Sequence, residues 1–187
     1  MQRIALWSVV SFLAIASLTW AADPIVSGPK VGARPGPYVF WVSTGANRGQ
    51  ETCFICDTAE RPAVIVFARN PSESLAKLAR KLDKARAMHK DVELRSWITF
   101  LGKDHQTFDR VLLDWSKQHG LKSLTVGSFK EDDGPPTYQV APEADVTVVL
   151  FVKKKVQATF GFRAEELTED AGKRVLDAVL RLVEKTP

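Results

Sequence analysis

The sequence predicts an α/β fold, a mixed sheet of about five strands with helices on both faces and an extra strand on the N-terminal side. Three observations predict it. Two continuous apolar runs, A-V-I-V-F-A at 63–68 and D-V-T-V-V-L-F-V at 145–152, have strand length and no polar face, the mark of strands covered on both sides. Between and after them, apolar residues recur at helical spacing. Near the end Val156, Ala158, Phe160 and Phe162 alternate with Gln157, Thr159 and Gly161, a period of two with one polar face that predicts an antiparallel edge strand.

The elements follow in order. Residues 22–36, rich in proline and glycine, read as an irregular lead-in, and 38–43, aromatic and β-branched, as a first strand. Gly45, Asn47 and Gly49 turn the chain. After the apolar strand at 63–68, Asn70 is the expected helix cap, with Pro71 at the first helical position and Glu73 completing a capping box. Leu75, Leu78, Leu82 and Ala85 form one stripe of that helix, which should run to about Lys90. A strand is expected at 92–101. Asp104 caps the next helix, whose stripe is Phe108, Val111, Leu112 and Trp115 and whose stop is Gly120. A strand at 124–129 precedes a proline-broken stretch at 130–144. The strand at 145–152, the turn at 153–155 and the edge strand follow. A helix at 168–185 with Ala171, Val175, Ala178, Val179 and Leu182 inward closes the chain. The alternation favours a mostly parallel sheet with an antiparallel hairpin at its edge.

Residues 1–21 have the form of a secretory signal: Arg3 ahead of an apolar run, then Thr19-Trp20-Ala21 with small residues where a signal peptidase cuts. The run is shorter than the ~20 residues of a spanning helix, so cleavage after Ala21 or Ala22 is expected, with no membrane attachment afterwards. The expected location is periplasmic or extracellular, with a single domain at 37–187. The formal net charge is +4, one unit of it from Arg3, and the basic residues are spread among helices without an aromatic-studded basic motif, which argues against nucleic-acid binding. Oligomeric state is not written in the sequence.

This order of elements resembles the thioredoxin-like superfamily, and within it the exported bacterial branch related to peroxiredoxins and thiol-disulfide reductases. R-P-A-V-I-V-F-A-R is similar to the family's central strand, Y-Q-V-A-P-E-A-D-V-T-V-V-L-F-V to its segment leading into the next long strand, and K-K-K-V-Q-A to its hairpin. The resemblance implies a thiol-disulfide oxidoreductase without a cofactor, acting on protein thiols or disulfides. It also implies a nucleophilic cysteine at the start of the helix after the central strand, where free N–H groups stabilise a thiolate. Here those positions fall near Pro71 and Ser74, and the position of the family's cis-proline falls near Val146. The usual redox site is vacant.

The chain's two cysteines, Cys53 and Cys56, lie ahead of the central strand instead. Their two-residue spacing lets one thiol resolve a mixed disulfide formed by the other, so a displaced catalytic pair is one reading. The other is a structural disulfide in a non-catalytic binding module. A ring this short stabilises by only about 2 kcal/mol, which favours chemistry, whereas Glu51 and Asp57 flank the pair and oppose a thiolate. In the catalytic reading Cys53 attacks, by analogy with the family. No metal site is expected, because His89, His105 and His119 are scattered over two helices and each suits a place at a helix end. Arg69, Asn70 and Ser72 could hold an anion at the helix start.

Overall fold

The computed structural model describes residues 23–184; the predicted signal at 1–21 lies outside them. Among the described residues seven strands form one sheet in the order β2-β1-β5-β4-β3-β6-β7, against the five or so expected. They are β1 (Phe40–Val42), β2 (Glu51–Thr52), β3 (Ala63–Ala68), β4 (Arg95–Phe100), β5 (Thr125–Ser128), β6 (Val146–Val152) and β7 (Lys155–Phe162). The helices are α1 (Phe54–Thr58), α2 (Glu73–Met88), α3 (His105–Gln118) and α4 (Glu169–Glu184).

The sheet is more mixed than the alternation predicts. Among the described residues only β3–β4 and β4–β5 pair parallel, through βαβ connections that α2 and α3 supply. The stretch after β5 contains one 3-10 turn, Pro136–Tyr138, and no helix long enough to carry the chain back across the sheet. So β6 starts at the end where β5 stopped and pairs antiparallel with β3, Ala68 opposite Val146 and Ala63 opposite Phe151. β3 and β6 are buried at every residue, and β7 is the edge, as the hydrophobic pattern predicts. The edge is partly covered: the lead-in donates Gly32 N–H to the Val156 carbonyl (2.8 Å) and accepts Val156 N–H at Ala33 (2.9 Å).

Period-two side chains divide the core. Val64, Val66, Ile98, Phe100, Val126, Val148 and Leu150 face α2, α3 and α4, which therefore share one side of the sheet. On α3, Leu112 and Trp115 are buried while Val111 is 45% exposed, so the inward stripe is narrower than predicted. The other side presents Ala63, Ile65, Phe67, Trp97, Val149 and Phe151, covered by α1, Tyr38 and Tyr138. This is an aromatic layer with a polar seam: Trp97 Nε1 donates to the Tyr38 hydroxyl (2.8 Å), which also bonds the Thr99 hydroxyl (2.8 Å), and Tyr138 donates to the Gly36 carbonyl (2.8 Å).

The chain's two tyrosines are both in this layer, and burial holds both phenols protonated well above their ordinary 10. Above pH 10 the unfolded state loses these protons and the native state keeps them, so stability falls as pH rises past about 10. Tyrosinate absorbance should therefore be missing from the folded protein at pH 10–11 and emerge together with the loss of circular dichroism. A phenol titrating near 10 in folded protein would show that the layer is open to water.

Candidate disulfide site

Cys53 ends the irregular step out of β2 in an extended conformation (φ −102°, ψ 91°) and is the N-cap of α1. Its sulfur accepts the Cys56 N–H at 3.3 Å, the place that serine or aspartate oxygen takes in ordinary caps. Phe54 and Ile55 turn inward. The Phe54 ring stands edge-on to Phe40 (5.2 Å) and to Trp97 (5.5 Å), which fixes α1 on the aromatic layer. Thr58, buried, bonds the Phe54 carbonyl (2.6 Å), and Ala59 stops the helix with φ +52°, a conformation costly for a residue with a Cβ.

Arg61 finishes the construction. Its guanidinium donates to the Thr58 carbonyl (3.0 Å) and to the Asp57 carbonyl, and pairs with Glu93 (3.1 Å). A cation at the carbonyl end of a one-turn helix is favourable, and it keeps α1 from unwinding toward β3. Cys53 and Cys56 are bonded to each other, with Cα atoms 5.4 Å apart. Cys53 is half-buried and Cys56 exposed, so a thiol from solution can approach the bond. The Cys56 amide aimed at the Cys53 sulfur would stabilise negative charge there once the bond opens. Glu51 and Asp57 are exposed beside the pair, in water that screens their opposition.

The helix start after β3 holds no sulfur. The predicted cap at Asn70 is displaced to Ser72, whose hydroxyl accepts the Leu75 N–H (3.1 Å), because the chain bends at Arg69 and Asn70 and stays extended through Ser72. Arg69 turns its guanidinium into the loop before β6 and donates to the carbonyls of Ala144 (3.0 Å), Asp132 (3.1 Å) and Ala141 (3.2 Å). Three of its five N–H donors are thus engaged by backbone. An anion bound by Arg69, Asn70 and Ser72 would have to share these groups with the loop and with the cap. α2 packs on the sheet face opposite α1, so the cysteines and this helix start lie on different sides. His89 and His119 are the C-caps of α2 and α3, and His105 opens α3 stacked on Trp41 (4.2 Å). Among the described residues, no group of three or more potential metal ligands assembles.

Solved structures superpose on nearly the whole described chain. A candidate protein disulfide isomerase from Bacteroides thetaiotaomicron matches with a TM-score of 0.64 at 11% identity, covering 86% of this chain and 96% of its own. The fold is thioredoxin-like. A candidate thiol:disulfide interchange protein DsbE from Chlorobium tepidum (TM-score 0.58, 18% identity, 81% and 99% covered) shares it. So does Peroxidoxin BcpB from Mycobacterium tuberculosis (0.61, 13%, 82% and 97%). No family model matches the chain, and neither does any curated protein sequence. At these identities the likeness speaks for the thioredoxin-like scaffold alone.

Both cysteines lie ahead of β3, and the sequence pattern does not show the helix that carries them. One turn is too short to show a 3.6-residue period. The local signal was the cysteine itself in a cap position, three residues before an N–H it could bind.

Proposed function

We propose that this thioredoxin-like protein is an exported thiol-disulfide oxidoreductase whose redox pair is Cys53 and Cys56. The observation that carries the reading is the capped, solvent-reachable cysteine pair: a sulfur held by a backbone N–H at a helix start, with its partner exposed one turn on. In the reduced protein the Cys53 thiolate attacks one sulfur of a substrate disulfide. The substrate S–S bond breaks, one substrate thiolate leaves and takes a proton from water, and a mixed disulfide forms on Cys53. Cys56, deprotonated by solvent, then attacks the Cys53 sulfur and releases the second substrate thiol. Two electrons pass to the substrate, and a dithiol donor must restore the pair. The substrates are protein disulfides. Export rests on the signal-like residues 1–21, and mass spectrometry of the mature N-terminus tests it.

Disulfide reductase assays on wild type, Cys53→Ser and Cys56→Ser test the chemistry. Both variants should fall to background, and Cys56→Ser should accumulate the mixed disulfide with a model substrate. Accumulation in Cys53→Ser instead would assign the attack to Cys56. Equal background rates in all three proteins would favour the second reading, a binding module in which a bridge pins α1; the separation of the pair from the α2 start speaks for that reading. In that case both replacements cost about 2 kcal/mol or less in urea unfolding and nothing else.

A further inference from the structure

The end of the sheet where β4 and β5 begin holds an open cleft of about 500 Å³ that the redox reading does not use. Its walls come from the end of α2 (Arg86), the turn between α2 and β4 (Lys90, Glu93), the first residue of β4 (Arg95), the turn before β5 (Lys122, Ser123), the first residue of β5 (Thr125) and the glycine turn after β1 (Gly45, Ala46). Four cations thus face one carboxylate. That carboxylate, Glu93, is already paired with Arg61.

The cations differ in what they do. Arg86 is structural: it donates to the carbonyls of Ser96 (3.1 Å) and Ser123, tying α2 to both turns. The β5 turn is held from its other side by Asp83, which accepts the N–H groups of Lys122 (2.9 Å), Ser123 (2.6 Å) and Leu124 (2.7 Å). The position of Lys122 is therefore set by the backbone. Arg95 is half-buried, yet its guanidinium has no hydrogen-bond partner and no ion pair within 4 Å among the described residues. Burial first, and the neighbouring Arg61 second, press its charge toward the neutral form, with Glu93 and Asp57 offsetting them in part; burial and Arg95 do the same to Arg86 against Asp83. A half-buried guanidinium held by no direct hydrogen bond leaves its donors open to a ligand, and Glu93 and Asp57 offset only part of the cost of its burial. Beside it Thr125, only 8% exposed, lines the cleft.

We propose that this cleft is a binding site for a small, multiply charged oxyanion, a phosphate ester or a polycarboxylate, held by Arg95, Lys90, Lys122 and the Thr125 hydroxyl. A planar guanidinium binds two oxygens of one carboxylate or phosphate, and the lysines supply point charges at the rim. The volume lies within the range of small-molecule sites. A monovalent anion would leave most of the cluster's repulsion in place, so charge of two or more selects the ligand. The site does not depend on whether Cys53 and Cys56 react.

Calorimetric titration of the mature protein at physiological salt, with pyrophosphate, citrate and acetate as probes, tests this. Pyrophosphate or citrate should bind and acetate should not; whichever of the two binds more tightly names the class. Arg95→Gln and Lys122→Gln should each weaken binding about tenfold. Lys173→Gln removes the same charge from the exposed side of α4 and should change nothing. Folding is monitored alongside: Arg95→Gln removes the repulsion with Arg61 and Arg86 together with the attraction to Glu93 and Asp57, so the free variant should melt close to wild type, while its gain in melting temperature on adding ligand shrinks. The proposal fails if no multivalent probe binds, or if Lys173→Gln weakens binding as much as Arg95→Gln does.

Discussion

Replacing Trp97 by alanine is expected to cost about 3–5 kcal/mol in urea unfolding, a large share of the stability of a domain this size. Trp97 is 1% exposed in the middle of β4, between Phe54 of α1 (5.5 Å) and Phe151 of β6 (6.4 Å), so truncation empties the centre of the aromatic layer. It also removes the N–H that the Tyr38 hydroxyl accepts, leaving that buried hydroxyl to Thr99 alone. Trp97→Phe keeps most of the ring volume and loses the N–H, and should cost about 1–2 kcal/mol. The two variants separate packing from the polar seam. They also reach the disulfide, because Phe54 loses one of its two edge-on partners: dithiothreitol should reduce Cys53–Cys56 faster in Trp97→Ala than in Trp97→Phe at temperatures where both are folded. Equal rates would mean that α1 is held by Phe40 and Arg61 alone.

The parts of this molecule that sequence patterns reveal are those where burial repeats along the chain. β3 and β6 are apolar at nearly every residue because both faces are covered, and β7 alternates because it is an edge; each pattern could be read directly. Asp104 and Gly120 mark the ends of α3 by local chemistry, a carboxylate that accepts the Gln106 N–H (2.9 Å) and a residue at φ +67°. Elsewhere the deciding contacts are distant in sequence. β2 has two residues and exists only because β1 pairs with it, and β6 turns antiparallel because of what the preceding loop lacks. At the candidate site, the vacancy after β3 was legible from Pro71 and Ser74. The use of Arg61 as a lid on α1 was not, since nothing local distinguishes it from any other arginine. The basic cleft is assembled from four separate turns and helix ends, and no window of sequence contains it.

Replacing Arg69 by methionine should loosen the loop before β6 and cost about 2–4 kcal/mol, the sum of three backbone carbonyls losing a charged donor, reduced by the water that reaches the site. The loop is also held by Tyr138, buried in the aromatic layer and bonded to the Gly36 carbonyl (2.8 Å), and by the Ser27 hydroxyl, which accepts the Ala141 N–H (3.0 Å); Arg69 ties down the stretches between these points. Between β5 and β6 the chain makes one 3-10 turn and runs over the end of the sheet, where Gly102 N–H bonds the Glu131 carbonyl (3.2 Å) and Lys103 N–H the Phe129 carbonyl (3.1 Å). Among the described residues Arg69 alone reaches the carbonyls of Asp132, Ala141 and Ala144 together, from the residue that follows β3. Its Nε, Nη1 and Nη2 each take a different carbonyl, a fork that a lysine ammonium cannot reproduce, so Arg69→Lys should recover less than half of the loss. Hydrogen exchange at residues 130–144 should rise in both variants while the amides of β3 and β4 stay protected. The consequence for function is local. Arg69 draws the loop in beside the start of α2. If Cys53 and Cys56 react as proposed, loosening that loop should leave their rate unchanged, because the pair lies on the other side of the sheet from the α2 start.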